Sequence, residues 1–303
     1  MECPASGEAN IAGPPYSGRR FPCATGDTVS PVGRLLDRFG RRVEERISWP
    51  DGSRAALSLS FDDARPSQVS RGLDILERLE VRVTFFVLPG AVRRDVQGWR
   101  AVIEHGHEIG NHSLRHSCSG NLRAFRRGSL EQLTLADLQR DLEEANRQLE
   151  DLLGVTPRVF AYPCGQTFVG RGIGTQSYVP VVARKFLVGR TFNDAWANAP
   201  LHCDLAQIAA INSDATPIER LRAYLDDALV NGSWVVLGGH DIGDSGRQTT
   251  LPGTMEAVVR WCRGEGVRIG TVGSIGDTVS LMQQSGDAQG RTGSIPPAPS
   301  VKR

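Results

Sequence analysis

Cysteine is sparse in this sequence and never closely paired. Cys3, Cys23, Cys118, Cys164, Cys203 and Cys262 are scattered over 303 residues with no C-x-x-C spacing. That pattern excludes a small disulfide scaffold and a C-x-x-C redox or zinc motif, so most of the six are expected as free thiols. Charge of one sign is also missing. Lysine and arginine total 35 against 34 acidic residues, a net charge of +1, so no global field favours nucleic acid or an anionic membrane. No apolar run approaches the ~18 residues of a spanning helix, and no membrane insertion is expected. The opening MECPASGEANIAGPPYSGRR lacks the positive start and apolar segment of a secretory signal. As written, the chain reads as a soluble cytoplasmic protein; a true start further upstream would leave an extracytoplasmic location open. There is no internal repeat.

What is present is the composition of an ordinary globular protein, 40% hydrophobic and 23% charged. Residues 1–48 read as a largely irregular N-terminal extension, 49–282 as one catalytic domain, and 283–303, rich in Gly, Ser and Pro, as a disordered tail. Within the domain, AALSLS, VRVTFFVL, RVFAYP, KFLVGRTF, AQIAAI and SWVVLGGH are strand candidates. The clearest helix runs through Leu135, Leu138, Leu142, Ala145, Leu149 and Leu152, an apolar stripe opened by a Thr134–Asp137 capping box and stopped by Gly154. Further helices are expected over about 218–230 and 254–264. Alternating strands and helices imply an α/β fold with parallel strands. A distorted (β/α) barrel is the first expectation and an open doubly wound sheet the second.

In such folds chemistry collects where strands end. The first strand ends in Phe61-Asp62-Asp63-Ala64. The next polar cluster, HGHEIGNHSLRHS, holds four of the six histidines. His112 and His116 stand four apart, the spacing that puts two rings on one face of a helical turn. Two imidazoles and one carboxylate are a common catalytic zinc set, and Asp63 can supply the carboxylate. Either motif alone reads more simply, as a turn pair or as surface histidines. Both at one sheet rim do not.

These residues resemble the NodB-homology polysaccharide deacetylases, carbohydrate esterase family 4. The resemblance rests on Ser60-Phe61-Asp62-Asp63-Ala64, on His112-Ser113-Leu114-Arg115-His116, on Pro163-Cys164-Gly165 within FAYPCG, and on His240 closing VVLGGHD, in that order over residues 52–282. It implies a distorted β/α barrel. It implies a divalent metal, most often zinc, on Asp63, His112 and His116, with a metal-bound water as nucleophile. Asp62 becomes the general base and His240 the general acid. The Cys164 N–H helps hold the oxyanion, with Tyr162, Pro163, Gly165 and Trp196 near the substrate. The implied reaction removes N-acetyl, or O-acetyl, groups from a glycan; the implied partner is an N-acetylated oligosaccharide.

Two other functions keep parts of this pattern. One is hydrolysis of a small cyclic amide of the allantoinase or imidase kind; the other is a catalytically inactive carbohydrate-binding relative. The intact ligand set argues against the first, and the presence of both Asp62 and His240 against the second. His105 and His107 read as structural, His202 as a loop residue, Asp241 as a turn cap or a site residue, and Cys164 as an unreactive lining residue. Two departures from the family pattern stand out. Its third motif carries an arginine where this chain has Ala161, which leaves Asp62 without an orienting partner. Its fourth pairs an aspartate with a tryptophan, matched only loosely by Asp194 and Trp196. The Gly-rich GQTFVGRGIGTQSYVP and the GDSGRQTT loop are expected to shape the cleft or simply to connect.

Overall fold

The computed structural model describes residues 47–290, apart from Arg123 and Phe125. The irregular extension expected before these lies almost wholly outside the described residues, as does the tail beyond Gly290. The main sheet contains β1 (Ala56–Asp62), β2 (Thr84–Val87), β3 (Glu108–Asn111), β4 (Val159–Ala161), β5 (Val188–Arg190), β6 (Ile211–Asn212), β7 (Trp234–Gly239) and β8 (Arg268–Ile269). Its order is β5-β4-β3-β2-β1-β7-β6, with β8 paired to the start of β1, and every pairing is parallel. The sheet curls, and a parallel bridge from Arg190 to Ile208 ties edge strand β5 to the segment leading into β6. This is the curled, barrel-like α/β arrangement that the alternation of elements implies. The AQIAAI run contributes only its end to a strand, because Leu205–Gln207 is a 3-10 turn and Asn198 hydrogen-bonds the Ala209 backbone.

β1 is buried along its whole length, as expected for a strand with neighbours on both edges and cover on both faces. Leu57, Leu59 and Phe61 join Phe85, Val87, Val235 and Leu237 in one core. The alternate positions face a second core, with Ala56, Phe86, Val159, Ala161, Val188, Trp234 and Val236. The polar members of that second face are satisfied: Ser60 donates to Leu237 O at 2.9 Å, and Ser58 accepts from the Trp234 indole at 3.1 Å.

Helix α1 (Leu135–Leu153) has the expected capping box and ends on Gly154 in the left-handed conformation. It buries Leu138, Leu142, Ala145, Leu149 and Leu153, any one of whose leucines would cost roughly 2–5 kcal/mol on truncation to Ala. Helices α2 (Ile218–Asn231) and α3 (Pro252–Gly264) fall where the sequence pattern puts them. Helix α4 (Val272–Gly290) continues past Met282, where an irregular tail is expected to begin. Val272, Ile275, Val279 and Met282 anchor it in the second core, and Gln283 donates to the carbonyls of Pro200 and Cys203. The Gly and Ser content masks this continuation in the sequence. No described helix is long and apolar enough to cross a membrane.

The expectation of mostly free thiols needs one correction. Cys118 and Cys164, 46 residues apart, form a disulfide. Cys203 and Cys262 are free, and burial raises their thiols to about 11 and about 12, which makes them unreactive. Cys3 and Cys23 lie outside the described residues.

Candidate active site

Each candidate side chain sits at or just beyond the C-terminal end of a parallel strand: Asp62 and Asp63 at β1, His112 at β3, Cys164 after β4, His240 after β7. Unusual backbone collects here. Among the eight described non-glycine residues with positive φ, five are Asp63, Ala64, Ser113, His116 and Cys164. Such conformations cost about 1–3 kcal/mol each and persist only when their surroundings enforce them.

The histidine pair does not lie on a helix, contrary to the turn-of-helix reading. Residues 112–118 form an irregular loop, and the left-handed backbone of Ser113 and His116 brings the two rings together, 4.8 Å between centroids. Polar ties fix that loop. The Asn111 amide donates to Leu142 O and Asn146 Oδ1 on α1 and accepts from Ser113 N. Ser113 Oγ accepts from His116 N, and Asp141 from Leu114 N.

Asp63, His112 and His116 converge. Nε2 of His112 lies 3.5 Å and Nε2 of His116 lies 3.3 Å from Oδ1 of Asp63. Tetrahedral ligand atoms bound at about 2.0–2.1 Å to one cation stand roughly 3.3–3.4 Å apart, so the spacing suits a small divalent ion. Two further observations agree. Oδ1 of Asp63 is buried without a hydrogen-bond partner among the described residues, an orphan that a cation would satisfy. Nδ1 of His112 lies 2.9 Å from the Ala161 carbonyl, which fixes the tautomer presenting Nε2. Burial, and then the neighbouring His112, push the His116 pKa down to about 4, which favours the neutral, ligand form near pH 7. Burial opposes ionisation of Asp63, yet the neighbouring imidazoles hold its carboxyl well below the usual range. Its other oxygen, Oδ2, accepts from Arg65 at 2.9 and 3.2 Å. Cys118 and Cys164 also lie near His116, but the disulfide occupies both sulfurs.

Asp62, buried, is paired with Arg190 at the end of β5. The orienting arginine absent at position 161 therefore comes from the adjacent strand, and Phe86 covers its guanidinium, 4.7 Å from carbon to ring centroid. Sequence reading misses it; its one signal is a charged residue ending the apolar run KFLVGR. Gln68 spans the site, donating to the carbonyls of Asp62 (2.7 Å) and His240 (2.9 Å).

The partner of His240 is Asp214, two residues beyond β6. Nδ1 of His240 lies 2.6 Å from Asp214 Oδ2, and Asp214 Oδ1 accepts from His240 N at 3.0 Å. Burial works against protonation, but Asp214 and the charges of Asp62 and Asp63 raise the His240 pKa above its ordinary value. Asp194, the loose sequence match, instead accepts from Thr191 Oγ1 and Ala210 N, and Trp196 stands exposed in a separate groove. Gly239 is required beneath this pair, since a Cβ there would collide with Thr250 Oγ1 and Ser213 Oγ.

Tyr162 and Pro163, just before Cys164, are buried, and Cys164, bridged to Cys118, has a φ of 56°. Tyr162 donates to Ala206 O at 2.6 Å, so its hydroxyl is already engaged. Gly165 has φ of +68°, and a Cβ would stand 2.8 Å from Phe192 N and O; only glycine fits. Ser119 N donates to Gln166 at 2.7 Å, a second tie between the loops that the disulfide joins. His107 accepts from Val83 N and packs edge-on to Phe85, a structural role as expected. Asp241 accepts from Ser67 Oγ and faces Arg65. Of the two loops after the motifs, Phe168–Val169 pairs with Gln176–Ser177 as a hairpin, and Asp241–Ile242 pairs with Thr249–Thr250.

The sequence over residues 50–169 matches the polysaccharide deacetylase family. It is 33% identical over 77 residues to a peptidoglycan-N-acetylglucosamine deacetylase of Bacillus cereus, covering 25% of this chain and 36% of that one. It is 36% identical over 93 residues to the uncharacterized protein YlxY of Bacillus subtilis, 31% of this chain and 26% of that one. The chain thus spans about a third or less of the length of these relatives. The fold is similar to that of a candidate polysaccharide deacetylase from Mycobacterium smegmatis, at a TM-score of 0.58 and 18% identity over 79% of this chain and 95% of that one.

Proposed function

We propose that this protein is a metal-dependent hydrolase that removes N-acetyl groups from a glycan. The observation that carries the reading is the Asp63–His112–His116 cluster, whose 3.3–3.5 Å spacing and orphaned carboxylate oxygen suit one divalent cation, zinc being the first choice. A cation held there supplies Lewis acidity, polarising the substrate carbonyl and lowering the pKa of water from 15.7 towards about 7.

The remaining groups divide the proton work. Asp62 is the general base, aimed by Arg190 so that one oxygen stays committed and the other accepts the proton. His240 is the general acid: Asp214 holds its Nδ1 and keeps the ring protonated to higher pH, leaving Nε2 to protonate the departing amine. An amine leaves poorly without that proton, so base and acid must act on opposite sides of the scissile bond. The Cys164 N–H, fixed in its left-handed conformation, donates to the oxyanion as charge develops.

The test is acetate release from acetylated chito-oligosaccharides, before and after the metal is stripped with a chelator. Turnover should vanish on stripping and return with zinc. Equal turnover in the stripped protein would exclude the metal-dependent reading.

A further inference from the structure

The ladder between β1 and β7 has its last register pair at Phe61 and Gly239. One residue further along each strand stand Asp62 and His240. Where the ladder stops, a side chain takes over: Nε2 of Gln68 donates to Asp62 O at 2.7 Å and to His240 O at 2.9 Å. Gln68 is wholly buried. Two carbonyl acceptors can be met only by the carboxamide nitrogen, which fixes the orientation of the amide. That orientation leaves Oε1 buried with no hydrogen-bond partner among the described residues. An unpaired buried acceptor is costly, and folded chains keep few of them. Filling space alone would call for an apolar residue; a glutamine here serves the two carbonyls.

The residue before it works on the same turn. Ser67 Oγ donates to Asp241 Oδ1 at 2.7 Å and accepts from Ile242 N at 3.1 Å. Residues 67 and 68 thus hold positions 240, 241 and 242 from one side, while Asp214 Oδ1 holds the His240 N–H from the other. A base and an acid that act on one amide bond must keep a fixed separation, because a displacement of about 1 Å can cost about 100-fold in rate. Arg190 aims the Asp62 carboxylate and Asp214 aims the His240 ring, but neither contact fixes one group relative to the other. We propose that Gln68 is a positioning residue that sets the separation of base and acid, with Ser67 completing a clasp between the end of β1 and the turn after β7. The proposal rests on the hydrolase reading for the roles of Asp62 and His240, and adds the residue that relates them.

The experiment reads backbone motion and turnover separately on the zinc-loaded protein. Gln68→Met keeps the length of the side chain and removes both donors. Amide hydrogen exchange at His240 and Asp241 should rise about tenfold, the local effect of one lost hydrogen bond, while Val236 and Leu237 within β7 keep their rates. On an N-acetylated chito-oligosaccharide, kcat should fall about 10–100-fold with KM and zinc content little changed. A second comparison separates positioning from a purely structural role. In a His240→Ala background, Gln68→Met should cost far less than in the wild type, because the group it positions is gone. Equal losses in the two backgrounds, or unchanged exchange in Gln68→Met, overturn the proposal. Should Gln68→Met fail to fold, Ser67→Ala loosens the same turn from a half-buried position. It should raise exchange at Ile242 and lower kcat, and no change in either overturns the clasp. If the wild type releases no acetate while exchange responds as stated, the hydrolase reading fails and the clasp stands. An active wild type with unresponsive exchange does the reverse.

Discussion

Arg190 and Asp62, 128 residues apart in sequence, meet as a buried ion pair at the ends of β5 and β1. Both side chains are almost wholly shut off from bulk water. The pair therefore stands or falls together, because removing one charge leaves the other uncompensated in the interior.

Arg190→Met should destabilise the fold by about 3–5 kcal/mol, the usual cost of orphaning a buried charge. Asp62→Asn/Arg190→Met together should lose less than Arg190→Met alone. Denaturant midpoints of Arg190→Met, Asp62→Asn and the double variant decide it; simple additivity would show that the two residues are not coupled.

Asp214→Asn should move the alkaline limb of the pH–rate profile to lower pH. His240 has a raised folded-state pKa, so it adds stability fully present below its unfolded value of about 6.5, and that stability is lost as pH rises through the folded value. The protonated acid is lost over the same window. With Asp214 neutral the upward shift shrinks, and activity and stability both decline earlier on the alkaline side. An unmoved limb in Asp214→Asn would mean that another group reports there.

Cys118→Ser/Cys164→Ser should lower stability by roughly 2–4 kcal/mol, as expected for a bridge across a 46-residue separation. Turnover should fall as well, because Cys164 no longer has its left-handed backbone fixed beside the scissile carbonyl. A variant with unchanged melting temperature and unchanged kcat would deny the bridge both roles.

Local motifs make much of this site legible in the sequence. Asp62, Asp63, His112, His116 and His240 each lie within a few residues of a strand end, and the alternation of elements is enough to infer the curled parallel sheet. What escapes is non-local. Arg190 replaces a missing arginine from a neighbouring strand, and nothing in KFLVGRTF says which carboxylate it faces. Asp214 sits in INSDATP, which reads as a turn, while the loose match at Asp194 and Trp196 points to a segment that lines a separate groove instead. The disulfide is hidden because two cysteines 46 residues apart carry no spacing signal. The spacing of His112 and His116 identifies the pair for an incomplete reason: a strained loop rather than a helix brings the rings together. The helix beyond Met282 is obscured because its glycines and serines suggest a tail, whereas its anchoring residues lie earlier.

One measurement bears most directly on the central claim, that Asp63, His112 and His116 together grip a single cation: metal content per chain by mass spectrometry after zinc loading and desalting. Wild type and Asp62→Asn should each retain one equivalent, with Asp62→Asn inactive, while His116→Ala should retain almost none. A full equivalent in His116→Ala, or none in the wild type, would contradict the account.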